Sequence, residues 1–239
     1  MTAETQLNRA VRPFRALMRA VLCVASAVIV ASVAAAAGDL RPGIIGADDR
    51  VRVEEAGPPF DAVGQVNIGG YRSGGQCTGT LIAPDLVLTA AHCVVNAAKG
   101  APHPLKDIHF LAGVRGESHK GHAKAKCLRL PPGHAIAAPD RRGHVPIHAF
   151  FKDAAVIVLD RPLDVTPAKV AAAAAGQPGQ RLTHAAYPAD RRFALTVHKG
   201  CKLLAVGRDG PLWLNDCDTY LGVARGVVGG DDTGLRLPV

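Results

Sequence analysis

The stretch that decides the fold is Thr89-Ala90-Ala91-His92-Cys93, preceded by Cys77-Thr78-Gly79-Thr80-Leu81-Ile82. Two short β-type runs, Thr80–Ile82 and Leu86–Thr89, lead into a histidine with a cysteine at its side and another upstream. A histidine delivered by the end of a strand is a candidate general base. Against it stands an absence: no serine follows Ser118 anywhere in the chain.

Outward from this stretch the same texture repeats. Val63–Ile68, Ile108–Leu111, His122–Leu130 and Ala155–Leu159 form a first set of β-type runs, and Arg181–Tyr187, Phe193–His198, Lys202–Val206 and Leu212–Leu214 a second, with Gly, Pro, Asp and Asn between them. Many short strands with little helix predict a sandwich or barrels. Between the sets lies 165–179, read as a linker, where Thr166-Pro167 is placed to cap a short helix running into the alanines at 171–175. Residues 38–59 are rich in Gly, Pro and Asp and read as an extended arm.

Composition bounds the possibilities. Apolar residues make up 48% of the 239-residue chain, which excludes a disordered protein, while aromatics at 4% leave Ala and Val to fill most of the core. Residues 1–37 read as an export signal: Arg9, Arg12, Arg15 and Arg19 precede an apolar stretch, Ala20 to Ala37, that ends in small residues. An uncleaved anchor is the rival reading; the dominance of weakly apolar alanine favours cleavage, hence a secreted or periplasmic protein with no membrane partner afterwards. The remainder is mildly basic without a basic run, so no nucleic-acid partner is expected. It keeps Cys77, Cys93, Cys127, Cys201 and Cys217, which an oxidising compartment would pair, leaving one over.

The Thr89–Cys93 motif with its upstream cysteine resembles the histidine motif of trypsin-like serine proteases. Ile44-Ile45-Gly46-Ala47-Asp48-Asp49-Arg50 is similar to the mature start of bacterial glutamyl-endopeptidase-like relatives. The resemblance implies an all-β, two-barrel chymotrypsin-like fold, with a first barrel over 60–164 and a second, incomplete one over 180–239. It implies that His92 is the base, and that Asp153, opening Ala155-Val156-Ile157-Val158-Leu159, is the carboxylate that orients it; Asp140 and Asp160 are weaker candidates. It also implies the disulfides Cys77–Cys93 and Cys201–Cys217. Asp218 and Thr219 would sit at the specificity pocket, and the N–H groups of Gly222 and Ala224 would form the oxyanion hole.

The same alignment exposes the damage. Asn215-Asp216-Cys217-Asp218-Thr219 resembles the approach to the family's Gly-x-Ser-Gly-x-Pro motif, but Ala224 stands at the serine position, Arg225 at a glycine and Val227 at the proline. Thr233, in Gly230-Asp231-Asp232-Thr233-Gly234, is too far from Cys217 to substitute. A shift of reading frame near codon 223 would explain the lost serine, its scrambled neighbours, the early ending and the unpaired Cys127 together. The competing account is a pseudoprotease that keeps the shell as a peptide- or protein-binding module. No cofactor is expected and a monomer is. His119-Lys120-Gly121-His122 with Cys127 has a ligand-like look, but without a convincing fourth partner these are read as loop histidines, and no metal site is assigned.

Overall fold

The computed structural model describes residues 41–71, 75–132, 151–170, 176–207, 213–220, 227–230 and 236–237. From Pro42 onward the chain forms a single compact unit.

Along the chain run β1 (Val51–Arg52), β2 (Val63–Ile68), β3 (Gly75–Ala83), β4 (Leu86–Thr89), β5 (Val95–Asn96) and β6 (Ala101–Pro102). Next come β7 (Ile108–Ala112), β8 (Gly121–Arg129), β9 (Ala155–Leu159) and β10 (Lys169–Val170). The remainder are β11 (Arg181–Ala186), β12 (Thr196–Val206), β13 (Trp213–Asn215), β14 (Val227–Gly230) and β15 (Arg236–Leu237). The order β2-β3-β4-β9-β8-β7 closes into a barrel, antiparallel throughout. Closure leaves no unpaired edge in the barrel itself.

Period-two alternation is what turns these segments into barrel staves. On β9, Ala155, Ile157 and Leu159 are buried while Val156 and Val158 are half-covered; on β8, Ala123 and Ala125 point inward and Lys124 and Lys126 outward. With so few aromatics, one ring dominates the barrel core: Phe110 on β7, fully buried. Room for it is made by glycine. A Cβ on Gly64 would lie 2.6 Å from the Phe110 ring, and one on Gly79 would lie 2.7 Å from Val66. Any side chain at either position would force the ring or the strands apart.

The second sheet runs β1-β12-β11-β14, with β13 also paired to β12, and among the described residues it is open. Phe193–His198 and Lys202–Val206, read as two strands, are replaced by the single strand Thr196–Val206. Gly200, the residue read as a breaker, is instead a bulge: Leu182 pairs with Cys201 and Thr183 with Lys199, so Gly200 is the extra residue, at φ 78°. No helix forms over the described part of the linker. Lys169–Val170 pairs in parallel with Arg236–Leu237, and 171–175 lie outside the described residues.

One continuous apolar core joins the barrel to the second sheet, because Ala185, Tyr187, Leu195 and Val197 pack into the barrel's cluster. Tyr187 is the polar pin of that junction. Its backbone N–H donates to Thr78 Oγ1 at 3.0 Å, and its hydroxyl lies 3.0 Å from the Val114 carbonyl and 3.3 Å from that of Val63. Gln65 and Gln76 both donate to the carbonyl of Arg192, adding a second polar seam.

The arm is fastened by a knot of charges, while Val53 near its end packs against the core. Arg50, only 5% exposed, donates from Nε to Asp48 at 2.8 Å and from Nη2 to Asp190 at 2.7 Å. Arg191 reaches Asp48 at 2.8 Å. Directly after this knot, Val51 and Arg52 add an edge strand against Val197 and Thr196.

Candidate active site

His92 sits in a single 3-10 turn, Ala91–Cys93, immediately after β4. Cys93 in that turn is bonded to Cys77 on β3, so the turn is tied covalently to the neighbouring strand. Asp153 lies just before β9. The two meet because β4 and β9 are antiparallel neighbours with Thr89 opposite Ala155, so the chain leaving β4 and the chain entering β9 emerge side by side.

The contact is double. Nδ1 of His92 is 2.7 Å from Asp153 Oδ2, and the backbone N–H of His92 donates to Oδ1 at 2.9 Å. An ionised carboxylate can only accept, so Nδ1 carries the proton and Nε2 of the neutral ring is left as the basic nitrogen. The histidine side chain is 51% exposed and the aspartate 18%, so the ring reaches solvent while its partner is mostly covered. Such an arrangement can accept a proton at Nε2 and hold the resulting imidazolium against a fixed negative charge. Asp160, the weaker candidate, ends β9 and accepts the Lys124 N–H at 3.2 Å, which is a strand-end role. Asp140, the alternative upstream, and the nucleophile region (Gly222, Ala224, Arg225 and Thr233) lie outside the described residues.

Asp218, expected at the specificity pocket, lies against the N-terminal arm. It is buried at 1% exposure, and both carboxylate oxygens are taken by the arm: the N–H of Ile45 donates to Oδ1 and that of Asp49 to Oδ2, each at 2.9 Å. Its own N–H donates to His198 Nδ1 at 2.8 Å. Thr219 is covered by the same segment, donating its N–H to the Gly43 carbonyl at 2.8 Å. Gly43 is required there: at φ 78°, a Cβ would stand 1.9 Å from the Thr219 carbonyl oxygen. The Thr219 hydroxyl is buried with no partner among the described residues. The Cys201–Cys217 disulfide ties the segment carrying Asp218 and Thr219 to β12.

Two groups among the described residues could converge on a metal ion, Cys77–His92–Cys93 and Asp49–His198–Asp218. Neither offers a free donor set: both cysteines of the first are spent in the disulfide, and in the second His198 Nδ1 already accepts the Asp218 N–H while each Asp218 oxygen accepts a backbone N–H. Sequence reasoning missed the roles of Arg50, Asp190 and His198. The Asp-Asp-Arg run at 48–50 was the one available hint, since three charged residues beside a β-edge imply a polar anchor.

A closed barrel sharing its core with a second antiparallel sheet, and a histidine–carboxylate pair at the end of two barrel strands, define an all-β protein of chymotrypsin-like fold. The family model described as Trypsin matches residues 53–210, and the chain belongs to that family of serine proteases. "Modular serine protease" of Drosophila melanogaster is 29% identical over 91 residues, which is 38% of this chain and 14% of that protein, so the chain matches only a small part of it. Among solved structures, a Glu endopeptidase in complex with MPD superposes with TM-score 0.66 at 22% identity, covering 80% of this chain and 84% of that one. The VesB protease of Vibrio cholerae gives 0.58 at 16% identity, covering 78% and 57%. The thermostable serine protease AL20 from an extremophilic microorganism gives 0.53 at 18% identity, covering 72% and 80%. At these identities the likeness to the solved structures is one of fold.

Proposed function

We propose that this is an exported member of the family that retains the proton-handling half of the proteolytic apparatus and has lost the nucleophile. His92 is the base, and Asp153 fixes its tautomer and orientation. Ala224 occupies the position from which a serine hydroxyl would attack a peptide carbonyl, and a methyl group cannot. The N–H groups of Gly222 and Ala224 are the corresponding oxyanion donors. Peptide-bond hydrolysis is therefore silent in the chain as written: removal of the serine in a related mechanism costs about 10⁶ in kcat.

The observation that carries this reading is the doubly bonded His92–Asp153 pair beside a sequence with no serine after Ser118. The first barrel (60–164), the linker (165–179) and the second sheet region (180–239) are taken as the functional division, with the arm (38–59) tying onto the second. The two disulfides fit an oxidising location, secreted or periplasmic, once residues 1–37 are removed. Asp218 is not proposed as a charge that selects basic substrates, since the arm's N–H groups hold both of its oxygens.

The test is a fluorophosphonate probe together with a broad peptide-substrate library, applied to the full chain. Absence of both labelling and turnover is expected. Labelling at any residue of the chain would overturn the silent reading. The second reading, a peptide- or protein-binding module, gains from binding of library peptides without cleavage, measured by fluorescence anisotropy.

A further inference from the structure

The far end of the β12–β13 hairpin stands clear of the core and presents apolar side chains to solvent. Leu203 is fully buried, but the residues after it are not: Leu204 is 48% exposed and Val206 37%, and on the facing strand Leu214 is 60% exposed. Ala205 pairs with Leu214, and Val206 with Trp213. Neighbouring residues of a strand point to opposite sides, so apolar groups line both faces of this tip. No charged residue lies within 203–206 or 213–215. An exposed apolar cluster of this kind marks a contact surface.

The base of the hairpin differs in chemistry and in rigidity. Lys202, two residues before Leu204, is exposed and pairs directly with Arg181 on β11, which is exposed as well. The Arg181 guanidinium lies against Gly200, where a side chain would collide with it, and the residue before Gly200 is the exposed Lys199. Asp216 is the one carboxylate at this level among the described residues, and its Oδ1 accepts the Lys202 N–H. The Asp216 N–H donates back to the Lys202 carbonyl at 3.1 Å, and the Cys201–Cys217 disulfide clamps the two strands beside it. The tip is therefore a pre-organised projection that needs little ordering when it meets a partner.

We propose that this hairpin docks the protein onto an anionic phospholipid surface, its apolar tip entering the headgroup layer and Lys202, Arg181 and Lys199 meeting the phosphates. The spacing suits that arrangement. At about 3.3 Å per residue, Leu204 lies roughly 7 Å and Val206 roughly 13 Å beyond Lys202. Interfacial elements bury their apolar side about 5–10 Å deep, so an inserted tip brings Lys202 and Arg181 to the phosphate level. Lys199, roughly 10 Å further back, stays within about a Debye length of the surface. A second copy of the chain fits less well. A two-fold contact that buried tip against tip would leave both cationic bases unmatched or set them against each other. No helix among the described residues is long and apolar enough to cross a membrane, and a surface contact needs none. The inference departs from the expectation of no membrane partner after removal of residues 1–37, and it stands apart from the reading of His92.

Trp213 is the only tryptophan of the chain and belongs to the hairpin, so its fluorescence reports contact there and not at the apolar residues 20–37. The full chain is titrated with vesicles of phosphatidylglycerol mixed with phosphatidylcholine, and with phosphatidylcholine alone. The variants are Leu204→Gln with Leu214→Gln, Lys202→Gln, and, as control, Leu105→Gln, an exposed leucine on the turn before β7. Blue-shifted Trp213 emission and loss of acrylamide quenching are expected on the anionic vesicles. The double leucine variant should raise the lipid concentration at the midpoint by about tenfold or more. Lys202→Gln should raise it roughly fivefold, the effect of one cation near an anionic surface. Leu105→Gln should leave it unchanged. Emission unmoved by anionic vesicles would overturn the proposal, and this wild-type result depends on no variant folding. So would the same midpoint on phosphatidylcholine alone, or an unchanged midpoint in the double leucine variant. Sedimentation velocity without lipid addresses the other occupant: a monomer is expected, and a dimer that Leu214→Gln dissolves would overturn the membrane assignment in favour of a second copy.

Discussion

Replacing Arg50 by alanine tests how the arm is held. The guanidinium makes four hydrogen bonds to two carboxylates: Nε and Nη2 to Asp48 at 2.8 and 3.0 Å, and Nη1 and Nη2 to Asp190 at 3.1 and 2.7 Å. Its side chain is 2% exposed, that of Asp48 10% and that of Asp190 25%. Removing one partner of a buried ion pair costs about 3–5 kcal/mol, chiefly by leaving the other charge unpaired. Arg191 remains on Asp48 at 2.8 Å, and Asp190 can turn toward water, so the cost falls below that range, at about 2–3 kcal/mol. In a domain of this size that lowers Tm by roughly 5–10 °C. The arm should also loosen locally, because Ile45 and Asp49 donate to Asp218 from the same segment. Thermal unfolding followed by circular dichroism gives the global term, and hydrogen exchange at the Ile45 and Asp49 amides gives the local one. A double-mutant cycle with Asp190→Asn isolates the pair. A change in stability below about 0.5 kcal/mol, of the size typical for exposed pairs, with protected Ile45 and Asp49 amides would refute the argument that charge anchors the arm.

Three further outcomes are expected. Tyr187→Phe removes the hydroxyl that meets the Val114 and Val63 carbonyls in the shared core, and should cost about 1–2 kcal/mol in urea unfolding; a neutral result would mean the hydroxyl carries no weight at that junction. Cys77→Ser with Cys93→Ser opens a closed loop of sequence separation 16 and should cost about 3 kcal/mol, read by chemical denaturation. Stability should also fall with acid. Burial lowers the pKa of His184 to about 4, with His198 and Arg50 adding to the effect, so the folded state resists a proton that the unfolded state takes up near 6.5. This contribution is complete above about pH 6.5 and is lost as pH falls toward 4. Asp48 acts in the same direction at lower pH: the hydrogen bond from Arg50 holds its carboxyl well below the usual range, and that stability fades below about pH 4. His184→Gln, which cannot titrate, should flatten the loss between pH 6.5 and 4; an unchanged slope would remove His184 as its cause.

What could be read from the residues divides along a physical line. β2, β4 and β9 have the bounds expected from their apolar alternation and the turn residues around them, since both signals are local. Asp153 was legible for the same reason, as a carboxylate opening the run 155–159. β12 was misread because Gly200 carries two meanings, a break or a bulge, and only the pairing with Leu182 and Thr183 decides between them. The arm contacts of Asp218 were not legible, because their donors are backbone N–H groups 173 and 169 residues away, which leave no trace in side-chain chemistry.

The persistence of the His92–Asp153 geometry without a serine follows from how the pair is held. Asp153 accepts two bonds, one from the ring and one from the His92 backbone N–H, and the second is a structural bond that caps the turn after β4. The turn is fixed from its other side by the disulfide to Cys77, and the approach of the two segments is fixed by the β4–β9 ladder. None of these restraints passes through residue 224. The dyad is therefore held independently of the nucleophile position, and its geometry alone does not decide whether the chain turns over a substrate. On the proposed reading, activity would be decided in the sequence that follows Thr219, where the family's motif brings a hydroxyl, two backbone donors and a small residue together. The sequence there is Gly222-Val223-Ala224-Arg225-Gly226, with alanine at the serine position and arginine at the glycine after it. Restoring the hydroxyl alone, by Ala224→Ser, should therefore recover little hydrolysis, because Arg225 still replaces the glycine of the family's motif. Recovery to the level of an ordinary family enzyme by that one change would show that the turn is sound and that only the hydroxyl was missing.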